Sequence, residues 1–381
     1  MQKRKLNILF ISSWYPSRVF KYYGDFVKRH AKAAGLYSNV ICLHVIRDKK
    51  MNKGFEVAEN EEGDLKEVII YFNHLCFIKL AYIFYYIKGF YYIRKKYSKP
   101  DLVHANVLYP IGFIAFIYLI LFKTNFVVTE HWTGFQKGEY KEFSVVKRLL
   151  FNFIGTKATY ILPVTDDLKH SMLTSGIKGN FKIIPNVVET DLFRKNKVFD
   201  NNKKQILHIS HLRDKHKNIS GILRVISKLS QIRQDFILKI IHSEENNALV
   251  ELASSLGILG KYVNFCGNKS YHEVADFMSK SVFLVLFSNF ENLPCVIVEA
   301  FSSGLPVIST DVGGIKEHID NSKGILIKRG DELALLDAMN YMLDNYNSYN
   351  KENLRQYALS NFSYQVVGKG FYQVYSEIIN V

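Results

Sequence analysis

NFENLPCVIVEAFSSGLPVISTDVGG, residues Asn289 to Gly314, is the stretch of this 381-residue chain densest in chemical groups. Pro294 fixes its own φ and lacks an N–H, so it suits the first turn of a helix and would disrupt one further in. The pattern predicts a helix starting near Pro294, with Glu291 in the loop before it and Glu299 one to two turns inside. The two carboxylates therefore occupy different environments. Leu305 to Thr310 reads as a short buried strand. Asp311-Val312-Gly313-Gly314 reads as a strand-to-helix turn, since glycine allows positive φ and close backbone approach. Such a turn can aim N–H groups at an anion. A loop carboxylate, a helix carboxylate and an anion cradle together suit a phosphorylated sugar or a nucleotide. A Glu-bearing surface helix beside an ordinary glycine turn has the same pattern.

Upstream, strands and helices alternate. Gln205–Ser210, Phe236–His242, Val263–Cys266 and Val282–Phe287 read as strands, and Asn218–Ile232, Ala248–Leu256 and Tyr271–Lys280 as helices. Between the first of these strands and its helix lies the basic loop SHLRDKHKN, Ser210 to Asn218. A diphosphate leaving group carries about two to three negative charges, which only cations or dipoles placed in advance stabilise. Arg213 and Lys217 are the candidates; a solvated basic loop is the alternative. The first half shows a similar alternation, with strands at Asn7–Ser12, Val40–Val45, Val68–Tyr71, Asp101–Asn106 and Phe126–Thr129. It also has a polar insertion around Asn60–Asp64 and an apolar core helix over Val107–Phe122. The expectation is α/β: two parallel, helix-covered sheets in tandem, joined near Pro185-Asn186, with a cleft at their interface and ligands beyond the carboxyl ends of the strands. His131 and Gly24 take such positions in the first half.

The hydrophobic fraction of 48% and charged fraction of 22% belong to a globular chain with a large core. Cys42, Cys76, Cys266 and Cys295 are scattered without C-x-x-C spacing, which argues against zinc and a disulfide framework and for a reducing compartment. Val107–Phe122 falls short of the about 18–20 apolar residues of a spanning helix. The start, MQKRKLNILFISSWYP, ends in bulky residues with no small-residue cleavage pattern and reads as a first buried strand. Charge is uneven: residues 1–190 hold 28 Lys+Arg against 15 Asp+Glu, so nearly all of the net +15 lies in the first half. There, Phe72–Tyr97 interleaves aromatic rings with Lys79, Lys88, Arg94, Lys95 and Lys96. That composition can rest on anionic lipid, or form a core helix with a solvated basic end. No nucleic-acid motif accompanies it.

Glu291-Asn-Leu-Pro294 with Glu299, the Asp311-Val-Gly313-Gly314 turn, the basic loop and the tandem halves together resemble the retaining glycosyltransferases of family 4. The segments WYPS, GDFVKRHAKAA, DLVHAN, VVTEHWTG, IPNVVETDLF and PVISTDVGGIKEHI look like family segments in family order. The resemblance implies the GT-B architecture of two Rossmann-like domains facing a central cleft. Residues 1–187 would bind the acceptor, 188–362 the nucleotide sugar, and 363–381 would form a helix returning to the first domain. It implies that Glu299 hydrogen-bonds the ribose and Glu291 contacts the donor sugar, with backbone N–H groups of Asn292 and Leu293 supporting sugar or phosphate. Arg213 and Lys217 resemble the diphosphate-binding pair, His131 the histidine reaching the transferred sugar, Gly24 the glycine at the distal phosphate, and Gly267 the loop near the base. The resemblance also implies that Gly313 and Gly314 lie near the bound donor. The chain departs from the pattern in three places: His211 stands where many relatives have Arg, leaving Arg213 or Lys215 for that role; Gly24 is single; and Asn106 replaces a second histidine.

No Asp-x-Asp pair is present to hold a metal–diphosphate, so no metal cofactor is expected. The expected reaction is metal-independent transfer of a hexose-type sugar from a nucleoside-diphosphate sugar, with retention by front-face attack, His131 and Glu291 positioning and stabilising the sugar. The expected acceptor is a glycan or polyprenyl-diphosphate-linked glycan in surface polysaccharide assembly, at a cytoplasmic location or peripherally on the inner membrane face, without nucleic acid. A sugar-nucleotide epimerase or hydrolase of similar architecture is the alternative.

Overall fold

The computed structural model of the protein describes residues 4–21, 23–52, 54–74, 77–194 and 203–380. It divides into two compact domains, Met1–Val187 with Tyr364–Val381, and Val188–Ser363.

The first domain is built on seven strands: β1 (Asn7–Ser12), β2 (Asn39–Arg47), β3 (Gly54–Glu62), β4 (Leu65–Asn73), β5 (Leu102–Asn106), β6 (Phe126–Glu130) and β7 (Tyr160–Pro163). Their order is β3-β4-β2-β1-β5-β6-β7. Side chains alternate across a strand, and both faces of β1 are covered. Leu9 and Ile11 enter one core with Val103 and Phe126, while Ile8 and Phe10 enter another with Val27 and Phe371. This is why its sequence is a continuous apolar run rather than an alternating one. Every neighbouring pair is parallel except β3 and β4. The polar insertion expected at Asn60–Asp64 is the turn end of that antiparallel hairpin, with Glu62 opposite Leu65. Its edge strand, GFEVAENEE, is mostly solvated and acidic, as suits a strand with one unpaired side. The apolar segment Val107–Phe122 is helical only over Phe113–Phe122; Leu108–Gly112 forms an irregular turn around Pro110, which lacks the N–H a continuous helix needs.

The second domain has six strands, β8 (Lys204–Ser210), β9 (Phe236–His242), β10 (Val263–Phe265), β11 (Phe283–Leu286), β12 (Val307–Thr310) and β13 (Gly324–Ile327), in the order β10-β9-β8-β11-β12-β13, all parallel. Again two cores flank one sheet: Phe283 and Val285 enter one and Leu284 and Leu286 the other. The strand order grows outward from β8 in one direction and then from β11 in the other. The reversal between β8 and β11 is a switch point, where a crevice opens beyond the strands' carboxyl ends. In the first domain the corresponding reversal lies between β1 and β5.

The last helix, Tyr364–Ile379, belongs to the first domain and packs against Asp25–Gly35. Cys42, Cys266 and Cys295 are free thiols; Cys76 lies outside the described residues. Among the described residues, no helix is long and apolar enough to cross a membrane.

Candidate active site

In the second domain three loops leave adjacent strands at the switch point. The loop after β8 carries Arg213 and Lys217, the loop after β11 carries Glu291, and the turn after β12 carries Gly313 and Gly314. Backbone bonds tie them together. Asn289 N–H donates to the His216 carbonyl at 2.7 Å, the Asn289 amide donates to the Lys215 carbonyl at 3.1 Å, and Gly314 N–H donates to the Asn292 carbonyl at 3.0 Å. Thr310, at the end of β12, donates its hydroxyl to the Ser288 carbonyl at 2.7 Å. One N–H of the glycine turn is thus used to hold the Glu291 loop.

At the centre, Lys217 Nζ lies 2.5 Å from Glu291 Oε1, and the Ser288 hydroxyl donates to the same oxygen at 2.7 Å. Glu291 is buried and Lys217 nearly so, which makes this a desolvated, hydrogen-bonded ion pair. Arg213 behaves differently: its guanidinium is mostly exposed and forks onto Glu244, with Nη2 2.9 Å and Nε 3.2 Å from the two carboxylate oxygens. Lys215 is exposed on the same short helix, Asp214–Lys217. His211 and His208 lie beside the cluster. Burial, reinforced by Lys217, holds both imidazoles down at about 4, so they are neutral at pH 7.

Glu299 lies within the helix Cys295–Ser302, whose N-cap is Pro294, and is buried with nearly every residue of that helix after Val296. Asn292 and Leu293 are buried in the approach to it. The helix is fixed at its other end by Arg355, whose Nη1 donates to the carbonyls of Thr190, Phe193 and Ser302. Gly267 follows β10 at φ +68, in open space, its N–H donating to His242 Nε2 at 3.2 Å. There the requirement for glycine is conformational.

The first domain places His131 directly after β6. Its ring lies 4.6 Å from that of Phe26 and 5.2 Å from that of His30, and its Nε2 is enclosed with no hydrogen-bond partner among the described residues. Burial, with His30 and His104 nearby, holds its pKa well below the ordinary value, so the imidazole is neutral. His30 donates from Nε2 to the Pro185 carbonyl at 3.0 Å. Gly24, at φ +77, begins the helix Asp25–Gly35. A Cβ there would come within 2.2 Å of the Trp14 carbonyl carbon, so the glycine is required by close packing of its own loop. Asn106 and His104 are buried in the sheet, His104 bonded to Tyr375 and Thr129 at 2.6 Å each.

Three contributors were not singled out from the sequence. Ser288 shares the oxygen of Glu291. His30 flanks His131. Glu130, immediately before His131, is fully buried and accepts backbone N–H bonds from His131, Trp132 and Leu108, each at 2.9 Å. Its adjacency to His131 was the available signal.

Two family descriptions match consecutive parts of the chain: Glycosyltransferase Family 4 over residues 30–192 and Glycosyl transferases group 1 over residues 189–359. An uncharacterized glycosyltransferase of Methanocaldococcus jannaschii is 26% identical over 90% of this chain and 95% of its own. A putative teichuronic acid biosynthesis glycosyltransferase, TuaC of Bacillus subtilis, is 25% identical over 63% of this chain and 60% of its own. Among solved structures, Anabaena HepE in complex with UDP superposes with a TM-score of 0.76 at 16% identity, covering 98% of this chain and all of that one. The likeness establishes the expected GT-B fold of two Rossmann-like domains. With both halves matched, the chain belongs to the family 4 glycosyltransferases, the glycosyl transferases group 1, and is a glycosyltransferase.

Proposed function

We propose that the protein transfers a hexose-type sugar from a nucleoside-diphosphate sugar, with retention and without a metal, to a glycan or polyprenyl-diphosphate-linked glycan in surface polysaccharide assembly. The observation that carries the donor half is the buried Lys217–Glu291–Ser288 cluster at the switch point of the second domain. A cation and a carboxylate held there by a fixed network suit the two ends of one ligand, Lys217 the diphosphate and Glu291 the sugar hydroxyls. Without donor the two neutralise each other; with donor, each exchanges its partner for a ligand group of the same polarity. Glu299 holds the ribose. Arg213, already paired with Glu244, assists at the diphosphate from an exposed position. The complex of HepE with UDP supports a nucleotide donor, and the teichuronic acid relative supports a polysaccharide product.

In this scheme Glu291 is a positioning and stabilising carboxylate and not a nucleophile: held by Ser288, it accepts from the hydroxyls of the donor sugar. The leaving phosphate assists removal of the acceptor proton on the face from which the acceptor attacks. His131 is neutral, and its unpartnered Nε2 is suited to a sugar hydroxyl once the ring turns from between Phe26 and His30.

The test begins with a panel of UDP-, GDP- and ADP-sugars in thermal-shift assays, since a ligand at 100 times its Kd stabilises by about 2.7 kcal/mol. With the stabilising donor, Glu291→Gln and Lys217→Ala lower kcat by about 10²–10³-fold while melting stays cooperative. Transfer near the wild-type rate in both variants excludes the assignment. The anomeric configuration of the product tests retention, and transfer undiminished by EDTA tests metal independence.

For the acceptor half, Phe77, Leu80, Val145, Val146 and Leu149 are exposed beside Lys79 and Arg148 on the first domain, a composition suited to the inner face of an anionic membrane. Sedimentation with phosphatidylglycerol vesicles at low salt, released at high salt, is the expected behaviour. A protein that stays in the supernatant at low salt contradicts it.

A further inference from the structure

The first domain contains a cavity of about 1030 Å³ that no residue of the proposed donor site lines. It lies beyond the carboxyl ends of β1, β2 and β5, astride that domain's switch point, with Ser13 following β1, Lys49 and Lys50 following β2, and Tyr109 to Ile111 following β5. Its walls are apolar: Ile46, Ile83, Phe113, Ile114 and Leu150 line it. Two of the tyrosine hydroxyls in the wall are engaged with the backbone, Tyr86 donating to the Ser12 carbonyl at 2.9 Å and Tyr82 accepting from Arg47 N–H at 3.4 Å. A glycan would find few hydrogen-bonding groups along these walls, whereas their aliphatic and aromatic surface suits an apolar chain.

The rim has the opposite character. Arg18, Arg47, Lys49, Lys50 and Lys79 border the cavity. Asp48 and Glu56, the acids closest to this group, are both taken by Arg18, at 2.9 and 2.8 Å. Among the described residues, Arg47, Lys49 and Lys79 have no carboxylate partner, and Arg47 reaches only the neutral Asn73 side chain, at 3.4 Å; Lys50 is offset in part by Asp48, whose Oδ1 accepts the Lys50 backbone N–H at 3.0 Å. Burial, with the nearby charge of Lys79, lowers the Lys147 pKa, so the two cations share one region. Uncompensated cations around an apolar cavity call for an anion attached to an apolar body.

We propose that this cavity binds the apolar chain of a lipid-linked acceptor, with the acceptor's phosphate or diphosphate held by Arg47, Lys49, Lys50 and Lys79. The inference rests on the transferase reading and deepens its acceptor half. The volume accommodates the phosphate-proximal part of a chain and not a whole polyprenol, so the remainder would continue past the exposed Leu80 and Leu149 into the bilayer. The phosphate end would lie at the same carboxyl edge of the sheet as His131, where the glycan end is wanted.

The experiment is isothermal titration of the full chain, in saturating UDP, with farnesyl diphosphate, farnesol and inorganic diphosphate. Farnesyl diphosphate binds at least about tenfold more tightly than either fragment. Ile83→Trp, which fills the cavity, and the exposed-site double variant Lys49→Glu/Lys79→Glu each weaken it by about tenfold or more. Cooperative melting followed by Trp14 and Trp132 fluorescence is unchanged in both and reports that the first domain is folded, while UDP affinity, measured separately, stays at its wild-type value. Equal affinities for farnesyl diphosphate and inorganic diphosphate overturn the proposal, as does a double variant that binds like wild type. Should farnesyl diphosphate behave as expected while no nucleotide binds, the donor reading falls and the cavity assignment stands.

Discussion

Glu130 shows how one side chain can set the geometry of a neighbour that does the visible work. Its two oxygens collect the N–H groups of Leu108, His131 and Trp132, which fixes the backbone on both sides of His131 and ties it to the chain leaving β5. Burial pushes this carboxyl up from 4.5 to about 7, against the pull of those three N–H groups. The sign follows directly. Between about pH 4.5 and 7 the folded protein retains a proton that the unfolded chain has released, so this group's contribution to stability is full below 4.5 and is lost as pH rises through 7. In Glu130→Gln the titration is gone, and the amide nitrogen cannot accept from an N–H, which costs about 1–3 kcal/mol. The variant is therefore less stable than wild type at pH 5, and the gap narrows by pH 7.5, as read from urea unfolding at the two pH values. A gap that widens instead means that the three N–H groups outweigh burial and that the site prefers the carboxylate.

At the scale of elements, the crossing of the last helix over Asp25–Gly35 depends on a contact without side chains. A Cβ on Gly368 would come within 2.1 Å of the Ala33 carbonyl oxygen, so the helices can approach this closely only with glycine there. Around that contact Phe371 meets Phe10 edge-on at 6.5 Å, and Tyr375 bonds His104. Gly368→Val must push the helices apart and weaken these contacts together. A loss of about 1–3 kcal/mol or more and faster proteolysis after residue 363 are expected, while nucleotide binding by the second domain is preserved. Unchanged melting and protease resistance in the variant would show that the crossing is not so close. Gly368 also illustrates what could be read beforehand. The helix itself was legible from the length of its segment and from the family resemblance, but not that a glycine within it marks its crossing. The alternation of strands was legible because parallel strands buried on both faces are apolar runs, such as Phe283–Leu286. The β3 strand was not, because an edge strand reading GFEVAENEE has no buried face to give it a pattern. For the candidate site, Glu291, Glu299 and Lys217 stood out by residue type and spacing. The pairing of Lys217 with Glu291 did not, because it joins loops 74 residues apart through the switch-point topology. Nor was Arg213's engagement with Glu244 visible, since Glu244 lies after a different strand.

For the molecule as a whole, the most distinctive electrostatic property is its buried neutral histidines. Burial holds His30, His44, His208, His211 and His318 at about 4, and His104 and His131 well below their ordinary value. Four of the seven are in the first domain and three in the second. Each has a depressed pKa, so the stability it contributes is complete above the unfolded value of 6.5 and is lost as pH falls toward 4. Over that window the unfolded chain takes up protons that the folded protein refuses. Glu130 acts in the opposite direction, but it is one group against seven. Every proton of difference steepens the dependence by about 1.4 kcal/mol per pH unit, so the histidines dominate between pH 6.5 and 5, before most carboxylates begin to titrate. The expected outcome is a fall in stability beginning near pH 6.5 in both domains, each followed through its own probe: UDP protection for the second domain, and Trp14 and Trp132 fluorescence for the first. His44→Gln and His318→Gln should each reduce the slope by up to one proton, in the first and second domain respectively. A stability that stays flat from pH 7 to 5 and drops only below 4.5 would assign acid unfolding to the carboxylate ion pairs and remove the histidines from the account.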